Sequence, residues 1–522
     1  MSDPDQYPVP DEWARRTRVD AAGYERLYGR SLADPGSFWL EKARRLDWIK
    51  RPEIAGDWSF DKADFHINWF ADGRLNVAAN CLDRHLAKRG DQVALLWEPD
   101  EPGDEPRRFT YRQLHAEVCR FANVLKAQGV ARGDRVTLHL PMIPHAVFAM
   151  LACARIGAVH VVVSAGCAPD ALAERIADCG SRIVVTADEG RCGGARTALK
   201  ANVDAAATRA PSLERVIVVR ATGGAVAIGA RDVWYHDAAA GLATTCPPEP
   251  MGAEDPLFIL YADGSTARPA GMVHTSGGYL LWAGLTHEWC FDYRPGDLFW
   301  CAADLGGMAG HSYGLYGPLA NGATLLLYEG RPDWPDASRL WQVVDRHRVH
   351  TLVTAPSVLR ALMVEGDAPV AATSRASLRL LGTVGAPIDP ATWRWYRDTV
   401  GGGRCPVVAT WGQAETGGAM IAPLPGAITL KPGSATTPLP GVRPQLVDDA
   451  GAVLAGAAHG RLCVAASWPG QMRGIWGDRD RFFRSGFTTC PGRYFTGSDC
   501  RRDDDGYYWP GPADEPVAYR SA

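Results

Sequence analysis

Short apolar runs alternate with longer amphipathic stretches along most of the chain, starting at about Asn76. The apolar runs predict strands at Val93–Trp97, Arg135–Leu140, Ala158–Val163, Arg182–Thr186 and Val216–Val219. Apolar residues at helical spacing predict helices at Leu82–Ala87, Tyr111–Gln128 and Ala146–Ile156. Strands separated by helices in this way indicate a parallel sheet with right-handed crossovers.

The same pattern returns after residue 250. It predicts strands at Leu257–Tyr261, Thr324–Tyr328 and Leu352–Thr354, a helix at Ser338–Val349, and further elements up to Val408. Two such sheets packed together would use about 400 residues, which is more than one ordinary domain contains. The sequence therefore predicts an α/β fold with paired α/β subdomains.

The two ends of the chain differ from this pattern. Residues 1–75 are rich in Trp, Asp and Arg with weak periodicity, which predicts an irregular wrapping segment. Residues 425–509 are rich in Gly and Pro and contain short alternating runs (Arg443–Val447 and Arg461–Val464), which predict a smaller β-rich subdomain. The predicted organisation is thus 1–75, 76–424, 425–509 and a tail at 510–522, and no fixed-period repeat is visible.

Composition narrows the class of protein. Apolar residues make up 46% and charged residues 22%, as in ordinary globular proteins, and the formal net charge of −4 is spread without a basic stripe. Nucleic acid and anionic membranes are therefore not expected as partners. The N-terminus has no apolar core of a signal peptide, and the most apolar stretch, 146–163, carries Arg155 and His160. We expect a cytoplasmic protein with no membrane span.

The thirteen cysteines are scattered and never spaced as C-x-x-C. A zinc site or a disulfide framework needs clustering that this distribution lacks. Cys153, Cys301 and Cys463 lie in apolar runs, where a small buried thiol is expected.

A Gly/Ser/Thr loop follows the apolar run at 257–261 and contains Gly264, Ser265 and Thr266 before Gly271. Such loops hold phosphate through backbone N–H groups and hydroxyls, although an ordinary turn has the same composition. The loop does not fit the G-x-x-x-x-G-K-[ST] pattern, so it is not a Walker A loop.

Several longer segments make the comparison specific. They read LNVAANCLDRH at 75–85, MLACARIGAVH at 150–160, GHSY at 310–313, PVVATWGQAETGG at 406–418 and RRDDDGYYW at 501–509. Together with the loop at 262–271 they resemble the AMP-forming acyl-CoA synthetases of the adenylate-forming superfamily, and acetyl-CoA synthetases in particular, over residues 10–509. The resemblance implies ATP-dependent activation of a carboxylate to an acyl-adenylate, followed by transfer to CoA.

The resemblance also assigns roles to individual residues. Glu415 matches the magnesium-binding glutamate and, with Thr266, belongs to the implied catalytic centre. The implied nucleotide-binding residues are Gly264, Ser265, Thr266, Gly271, Gly385, Pro387, Trp411 and Asp499. Asp499 stands one position after Ser498, where the family has its ribose-binding aspartate. ATP and Mg²⁺ are the implied cofactors.

Other positions depart from the family pattern. In the phosphate loop, Ala262 and Asp263 replace a Thr-Ser pair, Ala267 replaces a glycine, and Arg268 and Ala270 replace two lysines. A carboxylate beside a triphosphate is repulsive unless it helps to hold Mg²⁺. Ala386 stands in the adenine-contacting turn, and Ala414 replaces a threonine next to Glu415. These changes predict altered nucleotide chemistry.

The implied acyl pocket consists of Met308, Ala309, Val384 and Gly412. In the family, a tryptophan at the position of Gly412 limits the pocket to acetate. Because removing an indole deletes a large contact surface, the sequence predicts a carboxylate larger than acetate. The alternative is that Gly412 only relaxes an unused pocket.

The implied CoA contacts are the most altered. The family arginines fall on Cys192 and Ala195, and Arg191 and Arg196 stand one residue away as replacements, which predicts impaired CoA ligation. The sequence ends thirteen residues after Trp509, with Pro512 or Ala513 at the place of the hinge arginine. We therefore expect the C-terminal family domain, with its catalytic lysine, to be absent.

These observations leave three hypotheses. The first is an enzyme that activates a small carboxylate with ATP in an enlarged acyl pocket and hands the acyl-adenylate to a separate protein acceptor, with a protein partner supplying the C-terminal function. The second is a non-catalytic binding or regulatory protein that keeps the synthetase scaffold. The third is a truncated gene product, although truncation alone does not explain changes spread over the phosphate, ribose and CoA positions.

Overall fold

The computed structural model describes residues 6–261 and 269–512. The first segment contains α1 Asp11–Arg16, α2 Ala21–Ala33, α3 Pro35–Ala43, β1 Trp48–Lys50, β2 Gly56–Ser59, β3 His66–Trp69 and β4 Arg74–Leu75. The predicted irregularity of this segment is therefore wrong. Two aspartates start its helices, since the side chain of Asp20 accepts a hydrogen bond from the N–H of Gly23 and that of Asp34 from Ser37. Such caps set helix boundaries even where apolar periodicity is weak.

The next segment has the predicted order of strands and helices. Its elements are α4 Val77–Cys81, α5 Asp83–Arg89, β5 Val93–Glu98, β6 Arg107–Thr110, α6 Tyr111–Ala127, β7 Arg135–His139, α7 Pro144–Ile156, β8 Val159–Val162, α8 Pro169–Cys179, β9 Ile183–Ala187, β10 Gly190–Cys192, β11 Ala195–Thr197, α9 Leu199–Ala207, β12 Arg215–Val219, β13 Asp232–Trp234, α10 Tyr235–Ala239, β14 Met251–Gly252 and β15 Pro256–Leu260. Every strand predicted between residues 93 and 261 is present, with boundaries shifted by a few residues.

The pattern continues after residue 269. The elements there are β16 Met272–Thr275, α11 Ser276–Cys290, β17 Leu298–Cys301, α12 Met308–His311, α13 Gly317–Ala320, β18 Thr324–Tyr328, α14 Arg339–His347, β19 Thr351–Thr354, α15 Pro356–Val364, α16 Ala368–Ala371, β20 Leu380–Thr383, α17 Pro390–Trp395 and β21 Val407–Ala409. The last part contains β22 Pro444–Val447, β23 Ala458–Val464, β24 Gly474–Ile475, α18 Arg479–Phe487, β25 Tyr494–Arg502 and β26 Tyr508–Pro510.

Two large sheets form the centre of the molecule. The first has eight strands in the order β13-β12-β9-β7-β8-β15-β16-β24, and the second has seven in the order β21-β20-β19-β17-β18-β5-β6. All neighbouring strands from β13 to β15 in the first sheet, and from β21 to β5 in the second, are parallel. The expected pair of α/β sheets is confirmed, and antiparallel strands finish one edge of each.

Buried helices join the two sheets. Helix α6 contacts β5 and β6 of the seven-stranded sheet, and α7, which packs on α6, contacts β7 and β8 of the eight-stranded sheet. Nearly every residue of α7 is buried, which explains why it is apolar on all sides. The apolar stretch at 146–163 is therefore core. Within residues 6–261 and 269–512, no helix has the length and apolar character needed to cross a membrane.

A separate antiparallel sheet lies near the end of the chain. Its four strands follow the order β22-β23-β25-β26. This sheet corresponds to the predicted β-rich subdomain, while the boundaries drawn at residues 425 and 509 stay predictions.

A buried carboxylate ties the seven-stranded sheet to the helix outside it. Glu98 at the end of β5 is fully buried and accepts hydrogen bonds from Arg339 (2.8 Å), Arg346 (3.1 Å) and His347 (2.6 Å), all on or at the start of α14. Burial opposes ionisation of this carboxyl, but the hydrogen bond from His347 and the neighbouring positive charges lower its pKa. An ionised Glu98 is therefore part of the folded state.

We expect Glu98→Gln to lower the free energy of unfolding by about 3 kcal/mol, because it leaves buried cations without their counter-charge. Urea unfolding at pH 7 measures this loss, and the exposed Glu101→Gln serves as the matched control. The folded-state pKa of Glu98 lies below its unfolded value. The ionised carboxylate therefore stabilises the fold fully above the unfolded pKa, and this stabilisation is lost as the pH falls through the folded-state pKa. An unchanged urea midpoint in Glu98→Gln would contradict the assigned role.

Candidate functional site

A cavity of about 290 Å³ opens where strands of both sheets end. Leu260 and Tyr261 at the end of β15 belong to one sheet, while Val384 after β20 and Thr410 after β21 belong to the other. Loops after the carboxyl ends of parallel strands commonly form binding sites, because the crevice between them is free of crossing helices. The cavity is the candidate functional site.

The structure brings together all four residues predicted for the acyl pocket. Met308, Ala309, Val384 and Gly412 line this one cavity, together with Gly385. Met308 and Ala309 start helix α12, Val384 follows β20 and Gly412 follows β21, so only the packing of the two sheets places them side by side. The placement agrees with a single binding space, and the identity of its ligand stays a proposal.

The GHSY segment anchors the glycine-rich turn beside the cavity. The Ser312 hydroxyl donates to the carbonyl of Gly417 (3.0 Å), and the Tyr313 hydroxyl accepts from the N–H of Ala419 (2.7 Å). His311 contacts the carbonyl of Gly307 through Nδ1 (3.1 Å), and burial lowers its pKa to about 4, so it is neutral at pH 7. This segment therefore positions backbone and carries no charge into the site.

His274 supports the turn that carries Glu415. Its Nε2 donates to the carbonyl of Ala414 (2.9 Å), the first residue of the 3₁₀ turn Ala414–Thr416. Burial lowers the pKa of His274 to about 3, which keeps the ring neutral. Glu415 itself is 1% exposed, and its carbonyl accepts from the N–H of Met472 (2.9 Å). The turn is thus fixed from two sides.

The backbone packs closely around Gly412, although the missing indole predicts open space there. A Cβ added to Gly412 would lie 2.5 Å from the carbonyl oxygen of Gly418 and 3.2 Å from the Cα of Ala419. The side-chain direction at position 412 therefore points at backbone rather than into open space. Absence of a side chain at Gly412 lets the Gly418 turn approach closely, so the space of an indole is not simply added to the cavity.

The remaining nucleotide positions lie around the cavity in different environments. Trp411 is buried and exchanges backbone hydrogen bonds with Ile421, and Gly385 adopts a φ of +92° in the exposed turn that ends at Pro387. Gly271 is buried, and an added Cβ there would lie 2.6 Å from Ile259. Glycine at 271 is therefore required by packing.

The central part of the predicted phosphate loop lies outside the described residues. Gly264, Ser265 and Thr266 belong to this part, as do the replacements Ala262, Asp263, Ala267 and Arg268. Their predicted contacts with phosphate stay predictions.

Ser498 and Asp499 are neighbours on strand β25, but their side chains point to opposite faces of it. Ser498 is 1% exposed, and its hydroxyl has no hydrogen-bond partner within the described part of the chain. Asp499 is exposed, since successive side chains of a strand point to opposite faces. The inward position two residues before Ser498 is Thr496, whose carbonyl accepts from Gln413 Nε2 (2.8 Å) of the cavity wall. Ser498 is thus the buried candidate and Asp499 the exposed candidate for contact with a ligand.

Arg191 and Arg196 lie on the β10–β11 hairpin, away from the cavity lining. They are direct cross-strand partners, and Cys192 pairs with Ala195 next to them. Arg191 forms an ion pair with Asp104 (3.2 Å), and Arg196 forms one with Glu189 (2.8 Å). Both guanidinium groups are partly exposed, so a ligand phosphate could exchange with either carboxylate.

Sequence reasoning missed several residues of this site. His274, Tyr313, Gln413 and Thr496 were not singled out as functional, although Tyr313 and Gln413 lie inside the quoted motifs. Each acts through a contact with a residue far away in the chain, such as the 83-residue separation of Gln413 and Thr496. No local spacing signals such a contact.

The described residues fit a bound Mg²⁺ and nucleotide. A hard cation held mainly by substrate phosphates needs only one or two protein carboxylates, and Glu415 offers one. The free hydroxyl of Ser498 and the free Oε1 of Gln413 are buried polar atoms that lack partners within the described residues and would be satisfied by ribose or phosphate groups. Glu415 would hold the metal, and these two side chains would contact the nucleotide.

Comparison with known families and proteins agrees with this geometry. Residues 82–476 match the family described as AMP-binding enzyme, and residues 24–81 match the acetyl-coenzyme A synthetase N-terminus. An acetyl-coenzyme A synthetase of Novosphingobium aromaticivorans is 59% identical over 96% of this chain and 78% of its own length. One from Parvibaculum lavamentivorans is 58% identical over 98% of this chain and 78% of its own.

A solved structure supports the fold. The acetoacetyl-CoA synthetase from Streptomyces lividans superposes with a TM-score of 0.88, covers 97% of this chain and 79% of its own, and is 24% identical. The chain belongs to the AMP-binding enzyme family and, within it, to the acetyl-coenzyme A synthetases. The family predicted from the sequence motifs is therefore confirmed.

We expect Ser498→Ala to weaken AMP binding by roughly threefold to tenfold, because it removes an inward hydroxyl worth about one hydrogen bond. Asp499→Asn is the matched control and should leave AMP affinity unchanged, since that side chain points outward. Calorimetric titration of both variants with AMP decides between the two positions. The reverse result, a loss in Asp499→Asn alone, would restore Asp499 as the ribose contact.

Proposed function

We propose that this chain activates a short carboxylate with ATP to an acyl-adenylate and then transfers the acyl group to the thiol of CoA. The observation that carries the proposal is the single cavity in which Met308, Ala309, Val384 and Gly412 meet beside the turn of Glu415. The membership of the AMP-binding enzyme family and the names of the two relatives support the same chemistry. ATP, Mg²⁺ and CoA are the proposed reactants and cofactor.

In the first half-reaction a carboxylate oxygen attacks the α-phosphorus of ATP, and the bond to pyrophosphate breaks. Both reacting groups are negative, so their approach needs positive charge or fixed dipoles aimed at the phosphates. Glu415 is the proposed ligand of Mg²⁺, which would neutralise phosphate oxygens when bound. The turn around Glu415 is held by His274 and Met472, so the backbone that carries this residue is fixed before the substrates arrive.

The walls of the cavity supply water exclusion and orientation. Apolar side chains and glycine backbone form most of the lining, and its polar members are Tyr261, Tyr313, Thr410 and Gln413. A mainly apolar pocket with few polar groups buries the acyl chain and protects the adenylate from hydrolysis. In the second half-reaction the CoA thiol gives up its proton to solvent and its sulfur attacks the acyl carbonyl carbon. The bond between that carbon and the phosphate oxygen breaks, and AMP leaves.

Acetate is the first substrate to test, followed by slightly longer acids. The relatives named acetyl-coenzyme A synthetases favour acetate, and the close approach of Gly418 to Gly412 removes much of the extra space predicted from the missing indole. The flexible side chain of Met308 forms part of the wall and can adapt to longer chains. We propose that acetate is used and that Met308 sets the upper limit of acyl length.

The CoA contacts are proposed at Arg191 and Arg196. Both retain a cationic group on an exposed hairpin, despite the replacement of the family positions by Cys192 and Ala195. The predicted protein partner, and the predicted absence of a C-terminal domain, stay predictions.

Carboxylate-dependent exchange of pyrophosphate into ATP tests the first half-reaction. We expect exchange with acetate, and Glu415→Gln should reduce it by roughly a hundredfold because the metal ligand loses its charge. The exposed Glu365→Gln is the control. If none of the carboxylates from C2 to C8 supports exchange at millimolar ATP, the proposal is overturned and the non-catalytic binding protein is favoured.

A second variant tests the acyl wall. Met308→Ala should raise kcat/KM for butyrate relative to acetate by about tenfold, since each buried methylene contributes to discrimination in a hydrophobic pocket. The same exchange assay with both acids gives the ratio. An unchanged ratio would show that Met308 does not limit acyl length.

A further inference from the structure

The β10–β11 hairpin is held by loops of the opposite sheet. It follows β9 of the eight-stranded sheet, whereas Asp100 follows β5 and Arg331 follows β18, which are neighbours in the seven-stranded sheet. Asp100 is 1% exposed, and its Oδ1 and Oδ2 accept hydrogen bonds from the N–H groups of Gly193 (2.8 Å) and Gly194 (2.9 Å). One carboxylate therefore fixes the tip of the hairpin with both of its oxygens.

The turn at the tip has a defined geometry. Gly193 and Gly194 form a two-residue turn between the paired Cys192 and Ala195, with φ of +63° and +73°. Positive φ at both central residues is characteristic of the tight hairpin turn whose twist matches its strands. Added Cβ atoms would lie 2.6 Å from Arg331 and 2.8 Å from Trp334, so those side chains also close over the turn. The tip is enclosed on two sides.

This turn determines where the two arginines of the hairpin lie. Arg191 and Arg196 are directly opposite each other, and such cross-strand partners share one face of the pair. Like charges in this position repel. Here each arginine is paired with its own carboxylate, Arg191 with the exposed Asp104 and Arg196 with the half-buried Glu189. A phosphate bound between the two guanidinium groups would relieve both at once. Two guanidinium groups carried on one face of a hairpin can therefore act together on a phosphate.

We propose that Asp100 is a positioning residue for CoA binding: its carboxylate holds the Gly193-Gly194 turn so that Arg191 and Arg196 present paired guanidinium groups to a CoA phosphate. This inference rests on the proposed function. It adds a residue that touches neither CoA nor the reacting atoms and acts through the backbone of the hairpin. The same contact joins the hairpin after β9 of one sheet to the loop after β5 of the other.

The test compares Asp100→Asn with Asp104→Asn in the full chain. Asparagine at 100 offers one acceptor oxygen, and its amide NH₂ faces the second glycine N–H, so one charge-assisted bond is lost and one repulsive contact is created. We expect the Kd for CoA, measured by calorimetry, to rise by roughly tenfold or more in Asp100→Asn. Asp104→Asn frees Arg191 from its ion pair, and its Kd should stay the same or fall.

Two further readouts separate positioning from general damage. Carboxylate-dependent pyrophosphate exchange should be unchanged in Asp100→Asn, because the hairpin takes no part in adenylation. Adenosine 3′,5′-bisphosphate, which carries the phosphate end of CoA without its thiol arm, should lose affinity by the same factor as CoA. Arg331→Ala, which uncovers the turn without touching its hydrogen bonds, replaces Asp100→Asn if the latter fails to fold, and it should also weaken CoA binding.

The possible results are distinct. Equal CoA affinity in the parent chain and Asp100→Asn, or in the parent and Arg331→Ala where that variant is used, would overturn the inference. So would the absence of CoA binding in a parent chain that exchanges pyrophosphate. A parent chain that binds CoA but exchanges no pyrophosphate would overturn the proposed adenylation instead, and the comparison of CoA affinities would still decide the role of Asp100.

Discussion

The site depends on one constraint: two mostly parallel sheets must be covered on both faces and still share an opening at the ends of their strands. The buried helices α6 and α7 satisfy the first condition between the sheets. The second condition places the loops after β15, β20 and β21 around one cavity. Because a parallel sheet directs all its strand ends to one edge, residues more than a hundred positions apart meet there without any local signal.

Charged and neutral groups are used differently around the cavity and at the β10–β11 hairpin. The buried histidines around the cavity, His274 and His311, are kept neutral by burial and act as fixed hydrogen-bond donors. Glu415 lies on the turn that His274 supports and is itself buried. At the hairpin, by contrast, paired cations remain partly exposed and exchangeable. Neutral supports preserve a defined geometry inside, whereas solvated ion pairs allow a charged ligand to enter and leave.

The sequence was sufficient for the fold and for which segments form the site, because these follow from apolar periodicity and from contiguous motifs. The sequence was insufficient where a backbone contact decides where a helix begins or which way a side chain points. Helices in the first segment depend on the Asp20 and Asp34 caps, and the faces of Ser498 and Asp499 depend on where β25 begins. The roles of His274 and Gln413 depend on partners distant in the chain. Such contacts between distant residues exist only in the folded chain.

Gly412 shows why a residue cannot be interpreted from its volume alone. Loss of a large side chain predicts a larger pocket only if the surrounding backbone stays in place. Here the carbonyl of Gly418 lies where even a methyl group at position 412 would collide, while Tyr313 and Ser312 hold the 417–419 turn in that position. The deletion and the approach of the turn compensate each other, because packed interiors close most voids. A chain that lacks the indole can therefore keep a pocket for a small acid, which reconciles its altered motif with relatives that are named for acetate.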